Sequence, residues 1–281
     1  MRFGIKTAPQ HTTWQAMLDV WRVADDIDLF ESAWNFDHFY PIFSDSDGPC
    51  LEAWTMLAAM AQATRRIRIG CQVTGMIYRH PAVLANMAAT VDIVSDGRLD
   101  IGLGAGWNQQ ECDAYGIALP PLKERFDRFD EGVEAIVLLL SQEHSNLDGR
   151  YVHLTNARCE PKPVQRPHPP IVIGGNGPTR TLRTVARFAQ QWNSTAGIEH
   201  WPAIRDTLEK RCAEVGRDPA TIERSVNLRF DPSAGVSSIA DTASEFAAAG
   251  ADIGIVYLPV PHTPDVLEPI AQALRTVAGT T

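Results

Sequence analysis

The sequence predicts an α/β protein folded as a (β/α)8 barrel, a TIM barrel, and three observations carry that expectation. Short apolar or alternating runs recur along all 281 residues, each followed by a stretch with helical spacing. Eight such strand–helix units can be read off in order. No linker and no internal repeat divides them, so 1–281 reads as a single domain of a length that barrels commonly fill alone. Alternation of this kind gives parallel strands with right-handed crossovers, and eight units close naturally on themselves. A doubly wound open sheet is the alternative architecture.

The first strand is 2–8, where Phe3 and Ile5 alternate with polar residues before the break at Pro9. A helix over 14–29 follows, with Trp14, Met17, Leu18, Trp21, Ala24 and Ile27 near helical spacing. The aromatic-rich run 32–41 is the second strand and stops at Pro41. Residues 42–52 read as a loop, and the alanine- and methionine-rich 53–63 as a buried helix. The third strand is 67–75. Pro81 then opens a helix to 94, proline being well placed in a first turn. After the fourth strand, 98–106, an amphipathic helix at 123–141 carries Phe126, Phe129, Val133, Ile136, Val137 and Leu140 as its stripe. The polar, proline-dense region 142–170 is too long for an ordinary loop and reads as an insertion after the fourth strand–helix unit. Strands at 169–178, 191–195, 225–230 and 252–258, with helices at 179–189, 201–215, 237–249 and 264–277, complete the pattern.

Composition narrows the function classes. The hydrophobic fraction of 44% and charged fraction of 21% are ordinary for a globular protein. A net charge of −9 argues against a nucleic-acid partner and leaves any anionic ligand to local dipoles and a few cations. The five cysteines are scattered without CxxC spacing, which suits reduced thiols. The N-terminus lacks a signal-peptide core and no apolar run reaches membrane-spanning length, so a cytoplasmic protein with no membrane partner is expected. None of the eight histidines forms an HxH pair on a strand, and no metal site is expected.

Several strand ends carry chemistry. The run 98–111, RLDIGLGAGWNQQE, places Gly102, Gly104 and Gly106 at alternate positions, where another backbone or a flat ligand must come close. A crowded barrel strand accounts for them equally well. They are not a dinucleotide fingerprint, whose third glycine would fall at Trp107. Asp37 and His38 end the second strand, and histidine is the side chain best suited to exchange a proton near neutral pH. A histidine bonded only to a loop carbonyl is the alternative. At the end of the fifth strand, Gly174-Gly175-Asn176-Gly177 feeds a helix with Pro178 in its first turn. Free N–H groups and the helix dipole there favour a phosphate, to which Thr179 or Arg180 could add a donor. His80 reads as structural, and Glu111 as a helix-cap acid in preference to a site acid.

Taken together, SAWNFDHFYP at 32–41, IRIGCQVTG at 67–75, the run from Tyr78 to Glu111, IVIGGNGPTR at 171–180 and CAEVGRDPATIERS at 212–225 resemble the luciferase-like monooxygenase superfamily. Within it, the chain is most similar to the coenzyme F420-dependent oxidoreductases. The resemblance implies a barrel that binds a flavin or deazaflavin at its strand C-terminal ends, usually as a homodimer. It puts the family's acid–histidine pair on Asp37 and His38 and its strand-three bulge, with a non-prolyl cis peptide, on Gln72-Val73 beside Thr74. Strand-four cofactor contacts fall on Ala105 and Gly106, and the phosphate turn on Gly174, Gly175, Asn176 and Gly177, with Thr179 and Arg180 adjoining. The expected chemistry is hydride transfer between C5 of F420 and a small organic substrate, with His38, oriented by Asp37 or a backbone group, moving the proton. An FMN-dependent monooxygenase and a non-catalytic flavin-binding barrel are the alternatives.

Overall fold

The computed structural model describes residues 1–42 and 44–279. Position 43 of the expected 42–52 loop, and the last two positions of the expected 1–281 domain, lie outside the described residues. In chain order the first elements are β1 (Arg2–Lys6), α1 (Trp14–Asp26), β2 (Phe30–Asn35), α2 (Ala53–Ala63) and β3 (Arg68–Cys71). Next come β4 (Thr74–Gly75), α3 (Pro81–Val94), β5 (Leu99–Gly104), α4 (Gln109–Tyr115) and α5 (Leu122–Ser141). The second half holds β6 (Ser145–Asp148), β7 (His153–Ala157), β8 (Ile171–Gly174), α6 (Thr181–Phe188) and β9 (Gln191–Ser194). It ends with α7 (Trp201–Glu214), β10 (Glu223–Arg229), α8 (Gly235–Ala248), β11 (Ile253–Tyr257) and α9 (Leu267–Ala278).

The large sheet runs β3-β2-β1-β11-β10-β9-β8-β5-β4, all parallel, and a further β3–β5 pairing closes it. β3 and β4 are one strand interrupted at Gln72-Val73, whose peptide is cis, as the resemblance implied. The result is a closed barrel of eight parallel strand positions wrapped by helices. Several details differ from the sequence reading, the first being that β2 stops at Asn35 and not at Pro41, so that Asp37 and His38 lie in the chain beyond the strand. The stretch 107–122, expected as loop, contains α4, capped by the Asn108 side chain on the Glu111 N–H. Within 142–170, β6 and β7 form an antiparallel hairpin. α6 begins at Thr181, so Pro178 lies in the turn before it and not in its first turn.

Side-chain hydrogen bonds register the helices on the barrel. Trp21 on α1 donates to the Thr7 hydroxyl just beyond β1, at 2.8 Å, and Trp54 on α2 donates to the Thr74 hydroxyl in β4 at the same distance. Asp25, at the end of α1, takes the N–H groups of Arg65, Arg66 and Ile67 at 2.7, 2.8 and 2.7 Å, which fixes the entry into β3. Around these bonds Phe3, Met17, Phe30, Leu57 and their neighbours are fully buried, each side chain of this size contributing about 1.5–3 kcal/mol.

The glycines of β5 now have a physical account. A Cβ at Gly104 would stand 2.8 Å from Val73 Cγ2, and one at Gly174, on the neighbouring strand, 2.9 Å from Val73 Cγ1. The room they leave is occupied by the Val73 side chain of the bulge, and at Gly102 by the Cys71 carbonyl. The crowded-strand explanation holds for this face.

Gly104→Ala is therefore expected to destabilise by about 1–3 kcal/mol, the usual cost of an extra methyl in a filled site. Combined with Val73→Ala the two effects should fall short of additivity, because the smaller side chain reopens the space. Chemical denaturation of both single variants and the double variant measures the coupling; strictly additive losses would contradict this packing.

Candidate active site

A cavity of about 860 Å³ opens at the C-terminal ends of the barrel strands, the end where barrel chemistry is carried. Side chains from β1, from the chain beyond β2, from the β3–β4 junction and from β10 and β11 meet in it. A second cavity, of about 490 Å³ at the opposite mouth, is lined by Arg2, Arg68, Asp100 and Glu223, which already pair with one another.

His38 stands at the wall of the larger cavity and is 9% exposed. Its Nδ1 lies 2.7 Å from Oε2 of Glu111, which is fully buried. Glu111 also accepts the N–H groups of Phe39 and Tyr40, at 2.6 and 3.0 Å, and the Tyr78 hydroxyl at 2.7 Å. Burial pushes its carboxyl up, but the bonds from His38, Tyr78 and the backbone outweigh this and hold it below the usual glutamate value. An ionised carboxylate only accepts, so Nδ1 of His38 carries the proton. Among the described residues nothing is bonded to Nε2, which is left for substrate. Phe36, Tyr78 and Trp107 present ring edges to the imidazole at 5.7, 6.5 and 5.6 Å between centroids and confine its orientation.

The partner expected to orient His38 was Asp37 or a backbone group, and the structure supplies Glu111 in place of both. Successive residues of extended chain face opposite ways, so Asp37 turns toward α2 and α3. It is bound there by both terminal nitrogens of Arg79, one at 3.2 Å, and the same guanidinium also reaches Glu52. Burial raises the Asp37 carboxyl, and the Arg79 pair opposes it; the two-point geometry is that of an ion pair. The pair anchors the segment that carries His38. Glu111, read from the sequence as a helix-cap acid in preference to a site acid, is the residue that meets His38 instead. Its spacing from Asn108 is that of a capping box, and Asn108 does cap its N–H, while the carboxylate itself crosses to His38.

The expected cofactor contacts divide. Asp37, Gln72, Val73, Ala105, Gly106, Gly174 and Gly175 line the cavity, Asp37 while paired with Arg79. Gln72 is buried, and neither polar atom of its side chain has a partner. A buried amide with nothing to bond is costly, and at a cavity wall it is a place for a ligand's polar edge. Gly175 has φ +118°, a backbone that L side chains rarely adopt, and its carbonyl is held by the Trp192 indole at 2.8 Å. Thr74, by contrast, spends its hydroxyl on Trp54. Asn176 bonds Ser194 and Thr195, and Gly177 and Thr179 lie in the turn beyond the cavity lining. Arg180 is turned onto α5, 2.5 Å from Asp127 and close to Asp130, and is not aimed at the glycine turn. Both acids meet one terminal nitrogen of Arg180, and its Nε is buried without a partner. His80 caps α3 by accepting from the Ala82 N–H, as read from the sequence.

Lys6 was not singled out by the sequence reading. It ends β1 and enters the cavity, 5.5 Å from the Phe36 ring centre and 5.7 Å from that of Tyr257. A lysine closing the strand FGIK, at the C-terminal end of a barrel strand, was the signal available.

A family model described as luciferase-like monooxygenase matches residues 1–275. The chain belongs to that family. Among relatives of this luciferase-like barrel, an uncharacterised protein of Mycobacterium tuberculosis is 36% identical over 168 residues, 60% of this chain. That match spans 58% of the relative's own length. An F420-dependent glucose-6-phosphate dehydrogenase of Microbacterium testaceum is 30% identical over 240 residues, covering 83% of this chain and 69% of that protein. The solved structure of an F420-dependent secondary alcohol dehydrogenase with an F420–acetone adduct superposes with a TM-score of 0.85 at 19% identity, covering 98% of this chain and 99% of the other. At that identity the likeness is one of fold.

The Glu111 carboxylate gives a pH-dependent prediction. Its folded pKa lies below the unfolded value of about 4.3, so its stabilisation is complete above that value and is lost as pH falls through the folded pKa. Glu111→Gln should cost about 1.5–3 kcal/mol at neutral pH, with the gap from the parent chain closing in acid. Denaturation curves from pH 7 down to pH 3 check this; a gap that widened in acid would reverse the assignment.

Proposed function

We propose that this luciferase-like family member is an F420-dependent oxidoreductase acting on a small organic substrate. The observation that carries the reading is the His38–Glu111 pair, with a free imidazole nitrogen, beside an orphaned Gln72 amide in one cavity. The residues present suit a tricyclic cofactor. Gln72 would meet its polar edge, the Val73 bulge would back its ring system, and the turn at Gly174–Gly175 leading into α6 would take its phosphate. When bound, F420 supplies a ring carbon at position 5 that carries hydride and does not activate oxygen. His38 Nε2 takes the proton of a substrate hydroxyl as it is oxidised, or returns one in the reverse direction. Glu111 keeps Nδ1 protonated and stabilises the imidazolium, while Asp37 and Arg79 hold the segment still. A cytoplasmic homodimer is proposed with this reading.

Fluorescence titration of the purified protein with F420 and FMN side by side should give clearly tighter binding of F420. Stoichiometric, tight FMN binding with oxygen-dependent product formation would favour the monooxygenase. His38→Ala should lower turnover by about 10²–10⁴-fold, the usual worth of a general acid or base, with F420 affinity nearly unchanged. Turnover close to the parent value would make His38 structural.

A further inference from the structure

Three parallel strands bring two cations into one row. The register of β1, β11 and β10 sets Lys6 opposite Tyr257 and Tyr257 opposite Arg229. Residues paired across parallel strands point to the same side, and all three line the large cavity. The Lys6 ammonium stands 5.7 Å and the Arg229 guanidinium carbon 5.9 Å from the same tyrosine ring centre. Among the described residues no carboxylate forms an ion pair with Lys6. Aromatic faces attract a cation but do not neutralise it. Burial, with Arg229 adding to it, pushes the Lys6 ammonium down to about 8. Of the carboxylates around this cavity, Asp37 is held by Arg79 and Glu111 by His38, while Glu245 of α8 also lines it and forms no ion pair with Lys6.

The position of this row relative to His38 gives it a meaning. Phe36 lies between them, 5.5 Å from the Lys6 nitrogen and 5.7 Å from the imidazole, both measured from the Phe36 ring centre. The glycine turn at Gly174–Gly175 belongs to β8, which is separated from β1 by β9, β10 and β11. An anion at Lys6 is therefore on the proton-transfer side of the cavity and away from the turn.

We propose that Lys6 and Arg229 form an anion-binding subsite, and that the substrate is an organic acid whose carboxylate is held beside Tyr257 while its hydroxyl or carbonyl carbon lies at His38. This rests on the reading of the cavity as a substrate site. A cation pair of this kind selects by charge, since the neutral analogue of a bound acid leaves Lys6 without a counter-charge.

Isothermal titration calorimetry of the cofactor-free protein with benzoate, benzamide and inorganic phosphate tests the subsite without any turnover. Benzoate should bind at least about 10-fold more tightly than benzamide, a preference of about 1.4 kcal/mol, and more tightly than phosphate. Lys6→Met, which removes a buried charge and keeps the chain length, should abolish that preference, and Lys6→Arg should keep most of it. F420 affinity, read by fluorescence, should be the same in the parent and in Lys6→Met. Equal binding of benzoate and benzamide to the parent protein would overturn the proposal without recourse to any variant. So would phosphate binding in preference to benzoate, or a loss of F420 affinity in Lys6→Met with benzoate unaffected, which would give the lysine to the cofactor. Failure of the parent protein to bind F420 would remove the functional reading above and leave the anion titration standing by itself.

Discussion

The Glu111 carboxylate gathers donors from two separate stretches of chain while riding on a third. It takes His38, Phe39 and Tyr40 from the segment beyond β2 and the Tyr78 hydroxyl from the loop beyond β4, and it is presented by α4. A fully buried carboxylate is tolerable only with its acceptor sites filled. The same requirement that keeps this charge satisfied fixes the mutual position of the three segments around the cavity mouth. The orientation and tautomer of His38 follow from it, so structural demand and chemical readiness are met by one group.

Beneath that clamp the barrel wall is filled by the protein itself. Val73 occupies the notch that Gly104 and Gly174 leave open, and the Cys71 carbonyl presses on Gly102. The glycines of β5 thus serve the interrupted third strand. What remains beside the bulge is the Gln72 amide, buried and without a partner, which is the opposite condition from that of Glu111. The cavity is finished on one side and left open to a hydrogen-bonding ligand on the other.

Charge is distributed by depth and not by the net balance. The chain carries −9 overall, yet Asp37 at the cavity wall is paired with Arg79, and the Glu111 charge is held by donors from His38, Tyr78 and the backbone. The cations Lys6 and Arg229 face the cavity from β1 and β10. In a site partly withdrawn from water such near charges outweigh the distant surface field, which salt screens.

The sequence by itself determined the order and kind of most elements, because strand alternation, helical stripes and breakers such as Pro41 and Pro81 act over a few residues. The helix at 53–63 and the buried strand at 99–104 were legible in this way, as was the placing of His38 at the strand end that opens on the cavity. Short elements inside polar stretches were not: α4 and the β6–β7 hairpin have too few apolar residues to leave a period. Partners were less legible still. Whether His38 would meet Asp37 or Glu111, 73 residues away in the chain, and whether Arg180 would face a ligand or Asp127, depends on which segments the closed barrel brings together. The row of Lys6, Tyr257 and Arg229 exists only because β1 and β10 both pair with β11. Local pattern sets which face of an element is apolar; only closure of the sheet decides which distant side chains share a cavity, since that contact is made across strands and leaves no period along the chain.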